Sequence, residues 1–153
     1  MKREELIKEL GYELPGMSVP AAMYLPIVQT GNLCFVSGQI PTKDGKLAYT
    51  GKVGEERTLE DAQAAARICV LNACAALKMQ VGDLDKVKRI VKVQAFVATA
   101  NGFDQQHIVV NAASELLFQI FGEDGRHART AVGVNQLPMD ATIEIELIAE
   151  VEA

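Results

Sequence analysis

The chain has 153 residues, of which 49% are hydrophobic and 23% are charged, so we expect one globular domain with a sizeable core. The formal net charge of −5 argues against the broad basic surface that non-specific nucleic-acid binding requires. No apolar run reaches the roughly 18 residues of a membrane-spanning helix, and the N-terminus lacks the apolar segment of a signal peptide, which together predict a cytoplasmic protein.

The first third of the chain predicts a short helix and two strands. Residues 2–10 form a charged helical segment, and an irregular lead-in continues to residue 22. Residues 24–30 and 33–37 are typical of two strands joined by a tight Gly-Asn turn.

A long helix is predicted next. Thr58 and Asp61 have the spacing of a capping box, with Thr58 as the N-cap residue. The helix continues to about Met79 with a stripe of small apolar side chains, and Gly82 ends it. Such a stripe predicts close packing against a sheet.

The second half of the chain adds three strands and one helix. Residues 86–98 alternate as a strand does, residues 103–121 have a broad apolar helical face, and strands are predicted at 130–135 and 141–151. The order β-β-α-β-α-β-β predicts an α+β fold with one sheet and two helices on one face.

The last predicted strand has two different faces, and helices on one side of the sheet would cover only one of them. Its alternate residues from Ile143 to Val151 are apolar and are expected to face the helices. The opposite face carries Glu144, Glu146, Ile148 and Glu150. A homo-oligomer built on this face would cover it, and a solvated antiparallel face is the alternative.

Three cysteines, Cys34, Cys69 and Cys74, form no CxxC pair. The first lies in an apolar strand-like run and the other two lie in the alanine-rich helix. We expect all three to be buried, reduced thiols.

Motifs for metals and cofactors are absent from the sequence. His107 and His127 have no metal-ligand spacing and are expected to be exposed polar residues. There is no GxSxG, no P-loop and no dinucleotide motif, so no cofactor is expected. Ser37, at a strand end before Gly38, either terminates the strand or offers its hydroxyl to a ligand.

Arg129 and Glu144 are the candidate functional pair. Arg129 directly precedes an apolar strand, where its guanidinium could bind a carboxylate through two parallel hydrogen bonds. Glu144 follows a turn at residues 137–140, and hairpin pairing would place it near the start of the preceding strand. There it could hold and polarise a water molecule, and the alternative is an ordinary salt bridge within or between chains.

The sequence resembles the RidA/YjgF family, also known as endoribonuclease L-PSP. The resemblance runs from about residue 20 to residue 150, and the N-terminal helix resembles a longer subgroup. The resemblance therefore implies a single domain over residues 1–153, with the family core at residues 23–151. The matching segments are Pro26–Gln29, Val36–Pro41, Val81–Leu84, Val91–Val97, Asn111-Ala112, Ala128-Arg129, Leu137-Pro138 and Ile143–Glu146.

The resemblance implies a chorismate-mutase-like fold and a homotrimer around a central barrel, with sites in the clefts between subunits. It also implies hydrolysis of small 2-imino or enamine carboxylates to 2-keto acids and ammonia. Neither a metal nor an organic cofactor is implied, and the expected ligand is a small 2-imino or 2-keto carboxylate.

By position, Arg129 resembles the family's carboxylate-binding arginine, and Glu144 resembles the glutamate that places the attacking water. Ser37 and Gly38 resemble pocket-wall residues, and Asn111 resembles a pocket asparagine.

Two pocket positions depart from the family. Ile27 stands where the family has a tyrosine, which removes a hydroxyl and is expected to make the pocket more apolar. Ala131 stands where the family has a cysteine, which argues against thiol chemistry there.

Two other functions remain open. One is a non-catalytic trimer that uses the same arginine to bind small carboxylates. The other is the ribonuclease of the older family name, which the acidic chain disfavours because it shows no basic aromatic groove.

Overall fold

The computed structural model describes residues 2–17 and 23–152, so residues 18–22 of the predicted lead-in lie outside the described residues. Short 3-10 turns precede β5, follow α3 and precede β7. The helices and strands are α1 Lys2–Glu9, β1 Ile27–Thr30, β2 Leu33–Gln39, β3 Thr42–Lys43, β4 Lys46–Leu47, α2 Leu59–Val81, β5 Val87–Ala98, α3 Gln106–Phe121, β6 Ala128–Val134 and β7 Ile143–Val151.

The predicted order of the long elements is confirmed, and differences lie at their ends. The first strand begins at Ile27 rather than at residue 24, directly after Pro26, which has no N–H to donate to a strand ladder. Between β2 and α2 lies the short β3–β4 hairpin, which the predicted element order does not include. Asp44 and Gly45 have φ of 53° and 79° at its tip, as a two-residue turn between strands requires.

The main sheet has the order β1-β2-β7-β5-β6, in which only β5 and β6 are parallel. The predicted hairpin between β6 and β7 is therefore wrong. Because α3 carries the chain back to the far side of β5, β6 becomes an edge strand, and β7 inserts between β2 and β5.

Both long helices pack on one face of this sheet, as predicted. On β7 the residues from Ile143 to Val151 alternate between buried and half-buried, and the buried set faces the helices. The open face carries the half-buried glutamates together with apolar side chains such as Phe35, which is 41% exposed. The open face therefore mixes charged and apolar side chains, as the sequence predicted.

Helix α2 is the central helix of the core. The capping box is confirmed, since the Thr58 hydroxyl accepts from the Asp61 N–H at 3.1 Å and the Asp61 carboxylate accepts from the Thr58 N–H at 3.1 Å. Gly82 ends the helix with φ of 87°. By length and composition α2 could cross a membrane, but 61% of that stretch is buried inside the fold, as in core helices of soluble proteins.

The N-terminal helix α1 is fixed against the end of α3 and the turn before β5. The backbone N–H groups of Lys2 and Arg3 donate to the Asp85 carboxylate, which caps the helix from a distant part of the chain. The Arg3 guanidinium lies 4.9 Å from the centre of the Phe121 ring, and Ile7 is buried in the core.

The three cysteines are free and buried, as predicted. Burial raises the pKa of Cys74 to about 12 and also raises the pKa values of Cys34 and Cys69. These thiols are therefore protonated and unreactive at neutral pH.

The substitution Thr58→Ala should destabilise the protein by about 1 kcal/mol, because it removes the side-chain acceptor at the start of α2. Urea unfolding monitored by circular dichroism measures this loss. Thr58→Ser keeps the hydroxyl and is the matched control, so an equal loss in both variants would contradict the capping role.

Candidate functional site

The guanidinium of Arg129 is held by neutral oxygen atoms. Its Nη1 donates to Asn111 Oδ1 at 2.9 Å and to Ser114 Oγ at 3.2 Å, and its Nη2 donates to the carbonyl oxygen of His107 at 3.4 Å. No described residue places a carboxylate within 4.0 Å of it. An oriented cation without a counter-charge is suited to bind an anion, and a carboxylate matches its planar geometry.

A hydrogen-bonded chain behind Arg129 fixes this arrangement. His127 Nδ1 lies 2.6 Å from the carbonyl oxygen of Gly125, and His127 Nε2 lies 2.9 Å from Ser114 Oγ. Because a carbonyl only accepts, Nδ1 donates to Gly125, and Nε2 of the neutral ring accepts the Ser114 hydroxyl hydrogen. The lone pairs of Ser114 Oγ are then free to accept from Arg129.

The prediction that His127 is an exposed polar residue is wrong, because its ring is half-buried between the turn after α3 and Ser114. Burial lowers the pKa of His127, the hydrogen bond to Gly125 opposes this decrease, and the Arg129 charge adds to it. The ring is therefore neutral at pH 7, as the hydrogen-bond directions require. His107 is exposed, as predicted, and contributes only its carbonyl oxygen.

The Glu144 carboxylate lies on the open face of the sheet, against Gly38. A β-bulge between Val36 and Gln39 brings Gly38 so close that an added Cβ would lie 2.5 Å from Glu144 Oε2. Burial raises the pKa of Glu144, and repulsion by Glu146 raises it further. Such a half-buried carboxylate with a raised pKa is suited to accept a proton from a water molecule.

One chain does not bring Arg129 and Glu144 together. Glu144 pairs with Phe96 on β5, and Phe96 pairs with Val132 on β6, three residues beyond Arg129. The two backbones are thus about 10 Å apart along the strands and about 10 Å apart across them. In addition, Arg129 lies on the face that α3 covers and Glu144 lies on the open face.

The predicted site residues also border different cavities. Arg129 lines an open groove of about 810 Å³ together with Ser114 and His127. Ser37 and Gly38 line a separate cavity of about 370 Å³ near β1. The predicted site residues therefore form two partial sites, one around Arg129 and one around Gly38.

Ser37, Ile27 and Ala131, the remaining predicted site residues, make contacts within the fold. The Ser37 hydroxyl donates to the carbonyl oxygen of Leu25 at 2.6 Å, which fits the strand-terminating role that was one of its two predicted roles. Ile27 is buried in the core of this chain, and its expected place in an apolar pocket wall stays a prediction. Ala131 packs against the same core on the face that carries Arg129.

Ser114 and the role of His127 were not predicted from the sequence. The available signal was the three-residue spacing of Asn111 and Ser114, which places both side chains on one helix stripe. Among the described residues, no three His, Cys, Asp or Glu side chains lie close enough together to hold a metal ion.

Similarity to known proteins assigns the chain to a family. A family model described as "YjgF/chorismate_mutase-like, putative endoribonuclease" matches residues 4–151. The chain belongs to the YjgF/RidA family. Its α+β fold, with a mixed sheet and three helices, matches the YjgF/chorismate-mutase-like structures.

Two relatives are similar to this chain over most of their length. Protein TCP17 of Trypanosoma cruzi is 43% identical over 145 residues, which cover 94% of this chain and 91% of TCP17. The 2-iminobutanoate/2-iminopropanoate deaminase of Escherichia coli strain K12 is 35% identical over 134 residues, which cover 86% of this chain and 91% of the deaminase.

Two solved structures show how closely the fold is shared. Atu1372 of Agrobacterium tumefaciens, described as a protein with unknown function, is 45% identical, with a TM-score of 0.93 over 98% of this chain and 92% of that chain. The YjgF gene product of E. coli is 34% identical, with a TM-score of 0.59 over 86% of this chain and 92% of that chain.

The raised pKa of Glu144 predicts a pH-dependent effect of Glu144→Gln on stability. In the folded protein the pKa of Glu144 lies above its ordinary value of 4.5. The ionised carboxylate therefore lowers the free energy of unfolding at pH 7. This destabilisation is lost below pH 4.5, where the carboxyl group is protonated in both the folded and the unfolded state. The variant should therefore unfold at a higher temperature than wild type at pH 7 and at the same temperature at pH 4.

Differential scanning calorimetry at the two pH values measures this effect. Glu55→Gln, in an exposed loop position, is the matched control and should show no such pH-dependent difference. An unchanged or lower unfolding temperature for Glu144→Gln at pH 7 would contradict the destabilising burial of this carboxylate.

Proposed function

We propose that this protein hydrolyses 2-imino carboxylates to 2-keto acids and ammonia. The observation that carries the proposal is the Arg129 guanidinium, which three neutral oxygens orient while no described carboxylate neutralises it. Support also comes from the E. coli relative, which is named 2-iminobutanoate/2-iminopropanoate deaminase.

The proposed site forms between two copies of the chain, in a homotrimer whose open sheet faces surround a central barrel. Support comes from the positions of Arg129 and Glu144, which one chain holds on opposite faces of the sheet. The apolar part of the open face, including Phe35 and Val132, would be covered in such an assembly.

In the proposed reaction Arg129 binds the substrate carboxylate and so fixes the imine carbon. Glu144 accepts a proton from a water molecule as the water oxygen bonds to that carbon, and the C=N π pair moves to nitrogen. Glu144 passes this proton to the nitrogen, which gives a neutral carbinolamine. The carbinolamine hydroxyl then loses its proton to Glu144 as the C=O bond forms. Glu144 delivers that proton to the nitrogen as the C–N bond breaks, and ammonia leaves.

Removal of the Arg129 guanidinium, which is proposed to bind the substrate carboxylate, should abolish most of this activity. Arg129→Ala should lower kcat/KM for imine hydrolysis by at least roughly ten-fold, because a charge-assisted hydrogen bond contributes about 1.5–3 kcal/mol. Arg129→Lys should lose most of the same activity, because an ammonium lacks the planar fork. Lys8→Ala removes an equal charge from the exposed side of α1 and should have no effect.

The assay generates 2-imino acids with an amino-acid oxidase and traps them with semicarbazide. Wild type should reduce semicarbazone formation, and Arg129→Ala should not. If wild type leaves trapping unchanged for every imine but still binds 2-keto acids through Arg129, the protein is a carboxylate-binding trimer and the deaminase proposal is wrong.

A further inference from the structure

The residues of α3 that hold Arg129 lie on one stripe of the helix. His107, Asn111, Ser114 and Phe118 are spaced by four, three and four residues, which places them on one side of the helix. The first three supply the oxygens that hold Arg129. Phe118 continues the stripe one turn, or about 6 Å, beyond Ser114 and takes no part in holding the guanidinium.

Phe118 is unusual among the apolar residues of α3. It is 48% exposed, whereas Leu116, Leu117 and Ile120 beside it are buried in the core. Its ring lines the same open groove as Arg129, and the groove volume of about 810 Å³ lies in the range of pockets that hold ligands larger than a few atoms.

The charges in the groove specify what it can bind. Glu115 and Arg126 also line it and are opposite in sign, and Arg126 Nη1 lies 3.5 Å from Glu123. Arg129 therefore supplies the cation of the groove that no described carboxylate neutralises. A matching ligand carries one anionic group at the Arg129 end and an apolar group at the Phe118 end.

We infer that this groove is a side-chain subsite selecting carboxylates with a large apolar, preferably aromatic, substituent. This inference rests on the proposed function for the imine, because the same carboxylate must bind Arg129. An aromatic substituent should bind most tightly, because it buries a large apolar area. Its stacking or edge contact with the Phe118 ring adds further binding energy.

Binding of 2-oxo acids tests the subsite separately from catalysis. Isothermal titration calorimetry with pyruvate, 2-oxobutanoate, 4-methyl-2-oxopentanoate and phenylpyruvate should give affinities that rise in this order. Phenylpyruvate should bind roughly ten-fold more tightly than pyruvate. Arg129→Ala should weaken all four.

Phe118→Ala should weaken phenylpyruvate binding by roughly ten-fold and leave pyruvate binding within about two-fold. Phe118→Leu should keep an intermediate preference, and it tests the subsite even if the alanine variant is unstable. Met79→Ala removes a similarly exposed apolar side chain, 46% exposed on α2, and should change neither affinity.

Two results would overturn the inference. One is equal affinity for all four 2-oxo acids, or a preference that Phe118→Ala leaves unchanged. The other is a smaller assembly of Phe118→Ala by native mass spectrometry, which would show that a second copy covers this ring. Graded, Phe118-dependent binding without imine hydrolysis would support the subsite while removing the proposed reaction.

Discussion

The packing of both long helices on one face of a five-stranded sheet determines where every candidate functional residue lies. The covered face holds the core and, at its edge strand, Arg129 beneath α3. The open face holds Glu144 among partly exposed apolar side chains. Because the helices cover only one face of the five-stranded sheet, the other face stays uncovered in a single chain. The proposed assembly would bury that face, which would both stabilise the protein and complete the site.

Arg129 shows how the fold can keep a cation available for a ligand. Neutral acceptors from α3 fix the direction of the guanidinium, and a neutral His127 supports Ser114 from behind. A carboxylate in any of these positions would neutralise the charge and weaken the attraction for an anionic substrate. The lowered pKa of His127 keeps its ring neutral. A protonated His127 would be a second cation beside Arg129, and the two charges would repel each other.

Much of this was predictable from sequence because it depends on short-range periodicity. The capping box at Thr58 and the two faces of β7 follow from spacings of three and two residues. The insertion of β7 between β2 and β5 was not predictable, since strand order depends on where a helical crossover returns the chain. The role of His127 was missed for the same reason, because its partner Ser114 lies on another element.

A subunit complementation experiment tests the central claim that Arg129 and Glu144 act together across two copies. Arg129→Ala and Glu144→Gln proteins, each inactive alone, are co-expressed with separate tags, and mixed assemblies are isolated and assayed for imine hydrolysis. Mixed trimers should recover about a third of wild-type activity, because one of the three sites in each joins an intact Arg129 to an intact Glu144. Mixed assemblies that stay inactive would contradict the account.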